Sequence, residues 1–141
     1  MIEIRLLGPV DVDTLSNVAP DVFDDPIVVS SAQEFINDTR HRLVVAIDND
    51  IVVGFVSAVI YLHPDKVAPE LWINEVGVAL THQGQGIGKM LLRRTLEEAQ
   101  KVGCKEVWVL TERGNSAAMA LYKSVGGIEE VPNPTMFTFK L

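Results

Sequence analysis

The turn Thr81-His82-Gln83-Gly84-Gln85-Gly86-Ile87-Gly88 constrains this chain more than any other stretch. Before it, residues 70–80 (ELWINEVGVAL) read as a strand with apolar residues on both faces, which suits a central place in a sheet. After it the period changes. Ile87, Leu91, Leu92, Thr95, Leu96, Ala99 and Val102 share one helical face, and Lys89, Arg93, Arg94, Glu97 and Lys101 lie on the other. A strand that passes through glycines into a long amphipathic helix fits an α/β architecture, and it turns free backbone N–H groups and the positive helix end towards any anion lodged there. Spacing removes two candidate ligands. A dinucleotide fingerprint wants its third glycine one residue beyond Gly88. A Walker loop wants four residues before Gly-Lys and a hydroxyl after it, where this chain has three residues and Met90.

The remaining elements follow from periodicity and punctuation. Residues 2–6 alternate as a strand and stop at Gly8-Pro9, and a short helix begins near Asp11 or Asp13. Residues 21–26 form an acidic loop, and Ser31-Ala-Gln-Glu34 has the spacing of a capping box that opens a helix running to about His41. The β-branched runs 43–47 and 51–62 flank Asp48-Asn49-Asp50 and read as a hairpin. Beyond Gly103, residues 106–110 read as a strand. Residues 116–125 read as a helix capped by Asn115 and stopped by Gly126-Gly127, and 128–131 and 135–141 as two last strands. The order β-α-α-β-β-β-α-β-α-β-β predicts one α/β (α+β) domain over residues 1–141, a mixed sheet flanked by helices.

Composition narrows the function classes. With 48% apolar and 22% charged residues, the chain has the surface to build a core and is not disordered. Its longest near-apolar run, 51–62, is shorter than the roughly 18 residues of a membrane span. The first residues lack a signal-peptide core, so the cytoplasm is the default. Nineteen acidic against twelve basic residues, a net charge of −7, argue against a nucleic-acid partner and favour cationic ones. His41, His63 and His82 show no metal-ligand spacing, so no metal is expected. The single cysteine, Cys104, follows Val102-Gly103 in a turn and reads as a packing residue rather than a nucleophile.

Two oddities sit in the central strand. A glycine there, Gly77, marks either a bulge or the close approach of another backbone or a ligand. Glu75 is a carboxylate in an apolar strand, facing either solvent or a site. Downstream, Asn115-x-x-Ala118-x-x-Leu121-Tyr122-x-x-x-Gly126 places a tyrosine near a helix end, where an amphipathic core residue with a wet hydroxyl is the ordinary reading.

Taken together, Gln83-x-x-Gly86-x-Gly88 and the Asn115…Ala118…Leu121-Tyr122…Gly126 pattern resemble the GCN5-related N-acetyltransferase (GNAT) family over about residues 43–139. Residues 70–78 and 22–26 resemble the subgroup that contains aminoglycoside 3-N-acetyltransferases. The resemblance implies a mostly antiparallel sheet splayed between its fourth and fifth strands. It also implies acetyl-coenzyme A as co-substrate, direct attack by an amine in a ternary complex, and a homodimer. The pyrophosphate would lie on backbone N–H groups of Gln85, Gly86, Ile87 and Gly88, with Gln83 and Gly84 shaping the entry and Asn115 touching the cofactor. The pantetheine arm would run along Val76, Gly77 and Val78, with a bulge at Gly77 opening the slot. Glu75 would take the amine proton or hold the cation, and Tyr122 would protonate the departing thiolate. Asp21, Asp24 and Asp25 would lie in a flap over the acceptor, suiting an aminosugar, a polyamine or a basic peptide end. Acetylation of protein N-termini or lysines is the second reading, and a degenerate coenzyme A-binding sensor or interaction module the third.

Overall fold

A computed structural model describes residues 1–130 and 134–141. The chain divides into two compact units, Met1–Leu110 and Thr111–Leu141.

The first unit is a five-stranded sheet in the order β1(Glu3–Leu6), β2(His41–Asp48), β3(Ile51–Tyr61), β4(Glu70–Val78) and β5(Glu106–Val109). All neighbours are antiparallel except β4 and β5, which run parallel because helix α2(Ile87–Lys101) carries the chain between them. Asn49 and Asp50, both with positive φ, turn the β2–β3 hairpin; these residue types tolerate that region. The core is the run Leu43 to Ile47 of β2 and the facing Val52, Val53, Phe55 and Val56 of β3, closed by Leu71, Ile73, Ile87, Leu91 and Leu92. Val102, expected on the apolar face of α2, lies at its frayed end and is exposed.

The two faces of the sheet have different covers. A Cβ on Gly54 would touch Leu91 and Ile87, so α2 lies on the face of the even-numbered β3 residues. The odd face carries Phe55, Ser57, Val59 and Tyr61. It is covered by α1(Val29–Asn37), whose Phe35 stacks on His41, and by residues 21–26, whose Phe23 stacks on Phe55 at 4.0 Å.

Three local expectations change. Helix α1 starts at Val29, so Ser31 is already its third residue and makes no cap; the helix ends at Asn37 because His41 begins a strand. The bulge of β4 falls at Asn74 and not at Gly77: Ser57 pairs with Glu75 but Ala58 pairs with Ile73, leaving Asn74 as the extra residue. In the second unit α3(Ser116–Ser124) is the regular element among the described residues, and no strand follows it. Ile128, Met136, Phe137 and Phe139 are exposed and no ladder forms over 135–141, so alternation alone, without a pairing partner among the described residues, does not make strands there; Val131 lies outside the described residues.

Within that unit α3 is closed at both ends as its sequence predicts. The Asn115 side chain accepts a hydrogen bond from the Ala118 N–H at 3.1 Å, and the Gly127 N–H donates to the Tyr122 carbonyl at 2.9 Å across Gly126, which has φ 93°. No helix among the described residues is long and apolar enough to cross a membrane.

Candidate active site

Strand β4 leads into the glycine turn, and its two halves differ. Glu70 to Ile73 pair with Glu106 to Val109 of β5, and there the ladder stops. From Asn74 to Val78 the strand keeps its β3 partners, but no β5 ladder accompanies it among the described residues. The bulge lies at this junction and bends β4 where the parallel pair parts, which leaves an open flank along Val76, Gly77 and Val78.

The turn itself is held from several sides. Leu80 to His82 form one 3-10 turn; the Gln83 side chain donates to the Val78 carbonyl at 3.2 Å, and His82 Nε2 lies 3.0 Å from the Asp48 carboxylate at the β2–β3 hairpin. His82 Nδ1 meets Thr81 Oγ1 at 2.8 Å, so the imidazole bridges turn and hairpin. Gly84 and Gly86 have φ values of 77° and 80°, a region that only glycine adopts freely, and nothing lies within 4 Å of where their Cβ atoms would stand. Gly86 is the N-cap of α2 and offers no side-chain oxygen to the first-turn N–H groups. Those donors, at Ile87, Gly88 and Lys89, therefore open onto a cradle free of side chains, which fits the pyrophosphate of coenzyme A.

Gly77 answers a different need. A Cβ there would run into the Val22 carbonyl and stand 2.7 Å from the Phe55 ring, so its bare Cα admits the backbone of the acidic loop. Of the two alternatives for this glycine, the close approach of another backbone is the one realised. The loop is tied further back by Val52 N–H to the Asn17 carbonyl and Ala19 N–H to the Val52 carbonyl, both 2.9 Å. Val22 is buried, whereas Asp21, Asp24 and Asp25 are exposed, and Asp21 takes φ 63°. Glu75 is exposed on the odd face, opposite Ser57. Among the described residues, neither Glu75, Asp24 nor Asp25 has a hydrogen-bond or ion-pair partner.

Asn115 and Tyr122 belong to the second unit. The side-chain oxygen of Asn115 is engaged as the α3 cap. Burial pushes the Tyr122 hydroxyl above its ordinary value, which keeps it protonated and able to donate at neutral pH. Burial likewise raises the Cys104 thiol, consistent with a packing residue. Sequence reasoning passed over the pair Trp72 and Trp108, stacked on neighbouring strands, and over the His82–Asp48 contact. Equal register of two tryptophans on adjacent parallel strands was a signal only once the pairing was known.

The overall fold is shared with solved acetyltransferases. An aminoglycoside acetyltransferase, meta-AAC0020, from an uncultured soil metagenomic sample superposes with a TM-score of 0.83 at 22% identity, covering 99% of this chain and 97% of that one. The ribosomal-protein-alanine N-acetyltransferase of Brucella melitensis biovar Abortus 2308 gives a TM-score of 0.74 at 18% identity, covering 99% and 100%. At the level of sequence, the family described as Acetyltransferase (GNAT) family matches residues 12–126. The chain belongs to the GNAT acetyltransferase family. The L-2,4-diaminobutyric acid acetyltransferase of Shouchella clausii (strain KSM-K16) is 33% identical over 92 residues, 65% of this chain and 48% of that protein. The chain spans about half the length of that relative, and 40% of the [ribosomal protein bS18]-alanine N-acetyltransferase of Escherichia coli (strain K12), to which it is 35% identical over 60 residues.

Proposed function

We propose that this chain is an acetyl-coenzyme A-dependent N-acetyltransferase whose acceptor is a primary amine on a small cationic molecule, an aminosugar or a polyamine. One observation carries the reading. The β4–β5 ladder ends at Ile73 and Val109, so the open flank of β4 runs straight into the left-handed glycine turn at the start of α2.

When bound there, acetyl-coenzyme A supplies an acetyl group activated as a thioester. The N–H groups of Gly86, Ile87 and Gly88 hold its pyrophosphate, with Gln85 in the same turn and Gln83 and Gly84 setting the entry. The backbone of Val76, Gly77 and Val78 aligns the pantetheine arm and offers an N–H to the carbonyl oxygen. An alkylammonium has a pKa near that of lysine, about 10.4, so at pH 7 roughly one molecule in 2,500 is the free amine. Glu75, exposed and without a partner among the described residues, accepts the proton directly or through water, and Asp24 and Asp25 draw the cation towards the same face. The Asn115…Leu121-Tyr122 pattern of the family assigns to Tyr122 the proton that the departing thiolate needs, and burial keeps its hydroxyl protonated. The names of the relatives support an amine acceptor: an aminoglycoside, diaminobutyric acid and a ribosomal-protein alanine.

The test is thiol release from acetyl-coenzyme A against a panel of aminosugars, polyamines and peptide N-termini. Turnover of a small cationic amine is the expected result. Turnover with peptides alone would move the assignment to protein acetylation, and cofactor binding without any turnover would leave a sensor or interaction module.

A further inference from the structure

The odd face of the sheet carries an aromatic cluster beside Glu75. Trp72 of β4 and Trp108 of β5 are register partners with rings stacked at 5.2 Å and 10°. Tyr61 of β3 stands edge-on to Trp108, accepts a hydrogen bond from its indole N–H, and reaches Glu70 with its own hydroxyl. Trp108, on the edge strand β5, remains 36% exposed and so leaves part of its indole open to a ligand.

The β4 bulge joins this cluster to the proposed acceptor site. By simple alternation Trp72 and Glu75, three residues apart, would point to opposite faces of the sheet. The extra residue at Asn74 brings them to one face: Trp72 pairs with Val59 and Glu75 with Ser57, two β3 residues apart, about 7 Å at the usual strand rise. The carboxylate nearest the rings is not available for a ligand's charge, because Glu70 meets Lys66 and His63. Among the described residues the carboxylates without a partner on this face are Glu75 and Glu106, the latter two residues before Trp108 on β5, with Asp24 and Asp25 on the loop anchored at Phe55. A matching ligand therefore carries its cation at one end and, about 7 Å away, a rigid body with a C–H face to lay on the rings.

We propose that Trp72 and Trp108, braced by Tyr61, form a stacking platform for the body of the acceptor, which is an amine borne on a rigid ring, an aminosugar or aminocyclitol, rather than a linear polyamine. This rests on the acetyltransferase reading and deepens it. A rigid ring lays a continuous C–H face on an indole at little cost in conformational freedom, whereas a flexible chain must be ordered to do so.

The chain contains two tryptophans, Trp72 and Trp108, so its indole emission reports the platform alone. Titration of the cofactor-free protein with neamine changes that emission saturably, and titration with putrescine does not. In acetylation assays Trp108→Leu lowers the ratio of kcat/KM for neamine over putrescine about tenfold, the scale expected for one aromatic contact. Trp108→Phe keeps a ring and restores most of the ratio. Equal losses for both amines overturn the proposal. So does a change in oligomeric state of Trp108→Leu, seen by size-exclusion chromatography, with the ratio intact, because the indoles would then face a second copy. If the wild type acetylates no amine, the acetyltransferase reading fails, and the titration still decides the platform: a saturable neamine response supports it and a flat one overturns it.

Discussion

Gly77 and Glu75 illustrate how two residues on one strand face can be constrained by unrelated forces. The space over Gly77 is filled by the Val22 carbonyl and the Phe55 ring, and a carbonyl of the main chain cannot rotate away as a side chain can. Gly77→Ala should therefore destabilise the protein by about 1–3 kcal/mol, the usual range for overpacking, measured by urea unfolding. The same change should raise KM for the amine, since the acidic loop moves with Val22. Wild-type stability in the variant would mean that the loop is not seated on β4. Glu75 carries no structural duty of this kind. Glu75→Gln should leave stability unchanged and lower kcat about 100-fold or more at pH 7, with the deficit shrinking as pH rises and free amine comes from solution. Superimposable pH–rate profiles for the two enzymes would make Glu75 a solvent-facing strand residue.

At the scale of elements, α2 combines a start proposed to bind the cofactor's phosphates with a charged anchor in its last turns. Glu98 is only 6% exposed, and one of its carboxylate oxygens accepts hydrogen bonds from Arg94 and Lys101, both at 2.9 Å. Burial alone would raise its pKa, but the hydrogen bonds and charges of Lys101 and Arg94 outweigh it and hold the carboxyl below its ordinary 4.5. A carboxylate depressed in this way stabilises the fold above the unfolded value, and that contribution disappears as pH falls from about 4.5 through the lower native value. Glu98→Gln should cost about 1–2 kcal/mol at pH 7, and the gap to wild type should close during acid titration. A gap constant from pH 7 to pH 3 would assign the loss to packing instead. The helix period placed α2 and its buried stripe from sequence because each apolar residue repeats on one face. It passed over Glu98, since periodicity assigns charge to the solvent side. The β2–β3 hairpin and the α3 caps were legible for a similar local reason: Asn49-Asp50 and Gly126 act through their own backbone, and Asn115 through a hydrogen bond only three residues along. The Asn74 bulge was not legible, because nothing in Trp-Ile-Asn-Glu-Val marks an extra residue until β3 and β5 supply the register. For the candidate site, the glycine turn was readable from spacing, whereas the aromatic platform depends on pairing between strands distant in sequence.

For the molecule as a whole, the net charge of −7 acts differently on the two ligands of the proposed reaction. In the proposed reaction an ammonium acceptor is attracted by the summed field and by Asp24, Asp25 and Glu75, which have no partner among the described residues, whereas the anionic cofactor would be repelled at long range and its phosphates held by the short-range donors at the start of α2. Salt separates these contributions by distance. Raising ionic strength from 0.01 to 0.15 M shortens the screening length from about 30 to about 8 Å, which removes the long-range field but leaves hydrogen bonds in the cradle nearly untouched. For a polycationic acceptor kcat/KM should fall about tenfold over that range, the lower end of steering effects. For acetyl-coenzyme A, measured in the same buffers, kcat/KM should hold or rise as the repulsion is screened. Opposite signs distinguish steering from a general effect of salt on the enzyme. If both constants fall together, the acidic surface plays no part in choosing the acceptor, and its charge serves solubility alone.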